Sequence, residues 1–239
     1  MWIYDLVTCS TEFLKKEYLQ HNKNVVILPN GVMPEDYPII PQRNTTDKIR
    51  IGMVGSVIYK DDREVLQPII EKIANRDDIQ LVIFGLSPEK LSDKLENFYK
   101  EDIGFWRSLK NIEWIKNVSI DKYIKTLDSL KLDLMIAPRK DNYFNRCKSN
   151  LKYLEASMLK IPFIGQSFRD GNSPYDKDLN GKNWILCDTL ESWENAINTL
   201  CNDKELRTTM GETAYNYVLK NYNIHDLAIQ WENAYKSLM

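Results

Sequence analysis

The residues best placed to do chemistry lie between positions 132 and 167 of this 239-residue chain. Residues 132–137 are continuously apolar, which is typical of a parallel strand covered on both faces. Pro138 then ends the strand, and residues 139–145 are polar, which predicts a loop at the carboxyl end of the strand. Open α/β sheets bind ligands at that end. The position of this loop therefore predicts a binding site.

A cationic side chain and a helix start follow the loop. Leu151, Leu154 and Met158 recur at helical spacing, so Ser149 is predicted to be an N-cap with free backbone N–H groups behind it. Such a helix start favours phosphate. Lys148, directly before it, adds a mobile charge whose hydrogen bond to phosphate would contribute about 1.5 to 3 kcal/mol. An ordinary amphipathic helix with a solvated start explains the same spacing equally well.

A carboxylate lies deeper in the same predicted helix. Glu155 follows the predicted start by about two turns. Its spacing from Leu151 and Leu154 places it at the edge of the buried face. A carboxylate in that position can accept hydrogen bonds from a sugar diol. We therefore include Glu155 among the candidate site residues.

Strand-like and helix-like segments alternate along the chain. Apolar strand runs occupy residues 49–54, 79–85, 111–115 and 162–166, and helical periodicity occupies residues 62–74, 88–100 and 120–131. This rhythm predicts an α/β fold with a Rossmann-like, doubly wound parallel sheet. Residues 33–48, rich in proline and polar side chains, are predicted to form a linker and a hinge.

Composition argues against several function classes. The net charge of -2 gives no electrostatic footprint for nucleic acid, and no run of 18 apolar residues is present to span a membrane. The four cysteines are scattered, which argues against a zinc site or disulfides and favours a reducing compartment. Cys147 lies inside the candidate site, where a packed thiol is favoured over a nucleophile. With only two histidines, a Ser-His-Asp hydrolase is not supported.

The segment from 137 to 164 resembles a known family. The residues that carry the resemblance are Ala137, Pro138, Asp141, Phe144, Asn145, Lys148, Ser149, Lys152, Leu154, Glu155, Ala156, Pro162 and Ile164. Together they resemble the donor-binding segment of GT-B glycosyltransferases, especially bacterial members related to glycosyltransferase group 1 (family 4-like). Gly55 and Ser56, followed by Lys60, resemble the family's glycine loop, where the backbone approaches the donor diphosphate. The resemblance covers nearly the whole chain.

The resemblance implies the C-terminal half of a GT-B fold, in which two Rossmann-like domains face each other across a cleft. Residues 1–32 then correspond to the last strand and helix of the N-terminal domain and the crossover. After the linker 33–48, residues 49–223 form the donor-binding domain, and residues 224–239 form a helix that crosses back toward the N-terminal domain. We expect a piece of a longer protein, or a protein whose acceptor domain is supplied elsewhere.

The resemblance also implies a reaction, the metal-independent, retaining transfer of a glycosyl group from a nucleotide-diphosphate sugar to an acceptor hydroxyl. It gives catalytic roles to Lys148 and Lys60, which would stabilise charge on the departing diphosphate. The implied substrate-binding residues are Gly55, Ser56, Arg139, Asn145, Ser149 and Glu155, with Glu155 on the nucleotide ribose. No metal and no cofactor are expected besides the donor substrate. The isolated chain is expected to turn over little or nothing.

Two positions depart from the family pattern. Cys147 stands where the first acid of the Glu-x7-Glu motif is found, and Ser56 stands where an arginine usually follows the glycine. Two alternative functions therefore stay open. One is a catalytically silent nucleotide-sugar-binding or partner-stabilising subunit, which Cys147 favours. The other is a nucleotide-sugar 2-epimerase, whose additional acids and cleft histidine are not visible in the sequence.

The expected partners are a nucleotide-diphosphate sugar and an acceptor, which would be a glycan, a lipid-linked sugar or a protein held by the N-terminal domain. Nucleic acid is not expected as a partner. We expect a cytoplasmic protein of glycan or polysaccharide biosynthesis, with a peripheral contact at the inner membrane face left open. The sequence identifies neither the base nor the sugar of the donor.

Overall fold

A computed structural model describes residues 4–55, 60–85, 100–168, 171, 173–175 and 179–239. The chain begins with a small parallel sheet of two strands, β1 (Val7–Cys9) and β2 (Val25–Ile27), which are joined by helix α1 (Glu12–Leu19). The predicted helix at 88–100 lies almost wholly outside the described residues. The remaining elements form a larger α/β unit.

The larger unit is built on a six-stranded sheet. Its strands are β3 (Ile49–Val54), β4 (Ile79–Phe84), β5 (Ile112–Ile115), β6 (Leu134–Ala137), β7 (Phe163–Gln166) and β8 (Ile185–Cys187). Their spatial order is β5-β4-β3-β6-β7-β8, and every neighbouring pair is parallel. This confirms the predicted Rossmann-like, doubly wound parallel sheet.

Helices cover both faces of this sheet. The described helices after the small sheet are α2 (Lys60–Ala74), α3 (Lys100–Ser108), α4 (Ile120–Ser129), α5 (Tyr143–Arg146), α6 (Leu151–Met158), α7 (Leu190–Asn202), α8 (Lys204–Asn221) and α9 (Ile224–Lys236). Alternate residues of each strand point to opposite faces. On one face they pack against α4, α6 and α8, and on the other against α2, α3 and α7. The central strands are mostly apolar because both of their faces are buried, whereas the edge strand β5 is half-buried and carries Glu113.

The chain crosses from the small sheet to the larger one and is tied to the start of α9. The Val32 N–H donates to the Tyr222 carbonyl at 2.8 Å, and the Ile224 N–H donates to the Val32 carbonyl at 2.9 Å. The predicted linker, residues 33–48, begins with a short 3-10 turn (Pro34–Asp36). Arg43 then donates to the Leu159 carbonyl at 3.0 Å. The linker is thus held against the amino edge of the sheet.

Candidate functional site

The ligand-binding edge follows from the strand order. The chain adds β4 and β5 on one side of β3, and then β6, β7 and β8 on the other side, so the order reverses between β3 and β6. In doubly wound sheets the crevice at the carboxyl ends of those two strands binds ligands. Gly55 directly follows β3, and Arg139 follows β6 after Pro138. The structure therefore brings these two candidates to one crevice.

Two glycines line the β3 side of this crevice. The Gly55 N–H donates to the Phe84 carbonyl at 2.8 Å. Gly85 has a φ of +115°, and a Cβ there would overlap the Gly55 carbonyl oxygen, so only glycine fits. Ser56 lies outside the described residues, as does the side chain of Lys60, whose backbone begins α2. The predicted roles of both therefore stay predictions.

On the β6 side, Arg139 belongs to a buried polar network. Its Nη1 lies 3.4 Å from Asn145 Oδ1, to which it donates, and both side chains are less than a tenth exposed. Asn145 Nδ2 donates to Asp62 Oδ1 at 2.8 Å and to the Lys140 carbonyl at 2.9 Å. The Lys140 N–H donates to the same Asp62 oxygen at 2.9 Å. Asn145, predicted to bind substrate, thus links Arg139 to a carboxylate on α2.

Part of this cluster has no protein partner. Among the described residues, Arg139 Nε and the Tyr175 hydroxyl are buried without a hydrogen bond. A buried polar group left unpaired costs about 1 to 3 kcal/mol, so such atoms point to water or a ligand. Burial raises the pKa of Tyr175, and the Arg139 guanidinium opposes that rise through its charge and through its approach to the hydroxyl, which falls short of a hydrogen bond of ordinary geometry. A cationic donor and a hydroxyl are therefore available together.

Lys148 and Lys152 bring two further positive charges to Arg139. Burial lowers the pKa of Lys148, and the charge of Arg139 lowers it further. Lys148 Nζ lies 4.4 Å from the centroid of the Phe144 ring, which stabilises the ammonium. Burial also lowers the pKa of Lys152 to about 8, and Arg139 contributes to that shift. The three cations therefore repel one another in a partly desolvated space.

Two carboxylates face these three cations. Asp62 and Glu155 both oppose the lowering of the Lys152 pKa. Among the described groups of this cluster, the three cations Arg139, Lys148 and Lys152 thus exceed the two carboxylates by one positive charge. An excess of positive charge in a partly buried site favours an anionic ligand, which would relieve the repulsion.

Glu155 lies at the other side of the helix start. Its Oε2 accepts a hydrogen bond from the Tyr123 hydroxyl at 2.8 Å. Burial raises the pKa of Glu155, while the Tyr123 hydrogen bond and the charge of Lys152 lower it. The Tyr123 ring stacks on Phe84, the last residue of β4, with ring centroids 5.4 Å apart. The carboxylate is therefore held near the carboxyl edge of the sheet, as its predicted contact with a sugar diol requires.

The helix start differs from the prediction. The N-cap is Asn150 rather than Ser149, and α6 begins at Leu151. The Ser149 hydroxyl instead accepts from Asn30 Nδ2 at 2.6 Å, and Asn150 Nδ2 donates to the Tyr222 hydroxyl at 3.1 Å. The Ser149 side chain thus contacts the crossover, and the predicted N-cap at Ser149 is wrong by one residue. The amide groups of the first helical turn remain close to Lys148 and Lys152.

An open groove of about 550 Å³ borders the cluster. One wall is the start of α1, including Thr11 and Phe13, and the other carries Lys148, Asn150 and Tyr175. The groove therefore runs between the small sheet and the larger unit, and Lys148 and Tyr175 connect it to the Arg139 cluster.

Four residues of the site were not among the predicted site residues. Asp62, Tyr123 and Tyr175 lie in other segments of the chain, and no local pattern assigns them to a site. Lys152 was named only as part of the family resemblance. Its spacing could have indicated a role, because a residue three positions before Glu155 lies on the same face of the helix. Cys147 is a free, partly buried thiol whose pKa is raised by burial.

The described ranges contain no group of three or more His, Cys, Asp or Glu residues arranged to hold a metal ion. None of the helices in the described part of the chain has the length and hydropathy needed to cross a bilayer.

No family model matches the sequence, and neither does any curated protein. Solved structures match it over almost its whole length. Staphylococcus aureus TarM, solved as a mutant with UDP, fondaparinux and alpha-GlcNAc-glycerol, matches 96% of this chain and 43% of its own, with a TM-score of 0.67 and 18% identity. HepE from Anabaena, solved with UDP-glucose, matches 97% of this chain and 64% of its own, with a TM-score of 0.72 and 12% identity.

Sucrose-phosphate synthase from Thermosynechococcus elongatus matches 98% of this chain and 58% of its own, with a TM-score of 0.67 and 16% identity. The chain thus spans less than two thirds of the length of these structures. They are GT-B glycosyltransferases, and the likeness shows that the chain has the fold of one part of them, consistent with the C-terminal domain. The predicted resemblance is confirmed at the level of the fold.

Proposed function

We propose that this chain is the donor-binding domain of a glycosyltransferase and binds a nucleoside-diphosphate sugar in the crevice between β3 and β6. The observation that carries the proposal is the buried Arg139, whose Nε has no partner among the described residues, beside Lys148 and Lys152. A diphosphate supplies negative charge to offset the three cations and an acceptor oxygen for Arg139 Nε. The UDP and UDP-glucose in the TarM and HepE structures make UDP the first nucleotide to test.

The same cations support a role in catalysis. When the anomeric C–O bond breaks, negative charge builds up on the departing diphosphate. Lys148 and Arg139 are held in place before the reaction, so they can stabilise that charge without reorganising. The first-turn amides of α6 add a partial positive charge. We therefore propose transfer to an acceptor hydroxyl without a metal ion, and a retaining outcome on the sequence resemblance alone.

The alternative of a silent binding subunit stays open because of Cys147. Burial raises the pKa of this thiol, so at neutral pH it is neither a carboxylate nor a thiolate. It cannot replace an acid that accepts hydrogen bonds from a donor sugar. The alternative predicts nucleotide binding without transfer, even in a protein that contains the acceptor domain.

Titration calorimetry with UDP, GDP, ADP and dTDP tests the proposal. Each nucleotide is titrated with and without EDTA, which removes divalent metal ions. We expect one nucleotide to bind equally well in both buffers. Lys148→Ala should weaken its affinity between about 10- and 100-fold, because one charge-assisted hydrogen bond contributes about 1.5 to 3 kcal/mol. Lys220→Ala, an exposed lysine on α8, is the matched control and should leave the affinity unchanged. Binding of no nucleotide, or equal losses in both variants, would contradict the proposal.

A further inference from the structure

We infer that Tyr123 is a positioning residue that holds the Glu155 carboxylate for the ribose of the nucleotide and keeps it from pairing with Lys152. The inference rests on the proposed function and goes beyond it, because it assigns a specificity role to a residue on α4 that acts through Glu155.

The geometry supplies the first step. The Tyr123 hydroxyl donates to Glu155 Oε2 at 2.8 Å. The orientation of its ring is fixed by stacking on Phe84, at an interplanar angle of 19°. A carboxylate offers about four acceptor positions on its two oxygens. Tyr123 occupies one of them and leaves the other oxygen, Oε1, for a sugar hydroxyl.

The position of Glu155 along α6 supplies the second step. Glu155 lies four residues after Leu151, so the axial separation from the helix start is about 6 Å at 1.5 Å per residue. In a nucleoside diphosphate the ribose is joined directly to the phosphate groups. A diphosphate at the start of α6 therefore places its ribose within reach of a carboxylate one helical turn further along.

The third step is the competition for Glu155. Lys152 precedes it by three residues on the same helix, a spacing at which side chains of opposite charge pair. The charge of Lys152 lowers the pKa of Glu155, but these two described residues form no ion pair, and the carboxylate bonds to Tyr123 instead. The Tyr123 hydrogen bond holds the carboxylate away from the ammonium. Lys152 stays available to a phosphate, and Glu155 stays available to a diol.

The test compares a ribonucleotide with its 2′-deoxy counterpart. The probe is the nucleoside diphosphate among UDP, GDP and ADP that binds most tightly, titrated beside its 2′-deoxy form. We expect the unaltered chain to prefer the ribonucleotide by at least about 10-fold, because a hydrogen bond to a charged group is lost with the hydroxyl. In Tyr123→Phe the preference should fall to within about 3-fold, since the ring and its stacking remain while the hydrogen bond is lost.

Tyr37→Phe is the matched control, because Tyr37, like Tyr123, is partly buried and has a pKa that is raised by burial and by the charge of Glu155. It should keep the preference for ribose. An unchanged preference in Tyr123→Phe, with the nucleotide still bound, would overturn this inference and leave the proposed function standing. Binding of no nucleotide by the unaltered chain would overturn both.

Discussion

Replacing Lys152 by methionine should stabilise the unliganded protein and weaken its binding of nucleotide. Burial and the neighbouring cations lower the pKa of Lys152 from the ordinary value of 10.5 to about 8. Each pKa unit corresponds to about 1.36 kcal/mol, so the charged lysine costs the folded state up to about 3.4 kcal/mol at neutral pH. Methionine keeps an unbranched chain of similar length without the charge. We expect a gain of about 2 to 3 kcal/mol in the free energy of unfolding.

The stability gained by the Lys152→Met substitution should decrease as the pH rises. The folded-state pKa lies below the unfolded one, so between pH 8 and 10.5 the unfolded chain holds this proton more tightly and the penalty shrinks as pH rises. At pH 9.5 about 1.4 kcal/mol of the penalty remains. Tyrosines and cysteines also titrate in this range, but their contributions cancel when the variant is compared with the unaltered chain at the same pH.

Urea unfolding at pH 7 and at pH 9.5 measures both values. Lys220→Met, at an exposed position, should change the unfolding free energy by less than about 0.5 kcal/mol at either pH. A loss of stability in Lys152→Met, or a gain that is the same at both pH values, would refute the reasoning. Lys152 would then be a structural counter-ion to Glu155 and Asp62.

Two further changes test the framework of the site. Gly85→Ala should destabilise the fold by more than about 2 kcal/mol in urea unfolding, because Gly85 has a φ of +115° and an alanine Cβ there would overlap the Gly55 carbonyl. Gly104→Ala is the control, because Gly104 lies in open space on α3. It should stabilise the fold by about 0.5 to 1 kcal/mol. Asn145→Ala should cost about 1 to 3 kcal/mol and weaken nucleotide binding, measured by unfolding and calorimetry, because it removes the link between Asp62 and Arg139. An affinity unchanged in that variant would mean that Arg139 is positioned without Asn145.

The sheet, and the edge of it at which the candidate site lies, could be predicted from the sequence because both depend on local patterns. Apolar runs mark strands buried on two faces, and the polar loop after residues 132–137 marks the carboxyl end of one of them. The side chains that complete the site could not be found in this way. Asp62 and Asn145 are 83 residues apart, and Tyr123 and Glu155 are 32 apart. Such contacts arise only when the sheet brings separate loops to one edge.

The helix start shows how a distant contact overrides a local preference. Serine is a favoured N-cap residue, and the spacing of Leu151, Leu154 and Met158 predicts a helix from that point. The Ser149 hydroxyl instead accepts from Asn30, which is 119 residues away. The helix then begins after Asn150, whose side chain makes no capping hydrogen bond. No pattern within the segment carries information about Asn30.

The neutral side chain of Asn145 explains how Arg139 keeps its charge for a ligand. Had Asp62 contacted the guanidinium directly, the pair would be neutral overall, and less positive charge would be available to the anion that we propose binds there. The amide of Asn145 stands between them: its oxygen accepts from Arg139 Nη1, and its Nδ2 donates to Asp62. Asp62 Oδ1 thus accepts from two neutral donors, Asn145 Nδ2 and the Lys140 N–H. The positive charge of Arg139 is left toward the crevice, where a diphosphate would meet it together with Lys148 and Lys152.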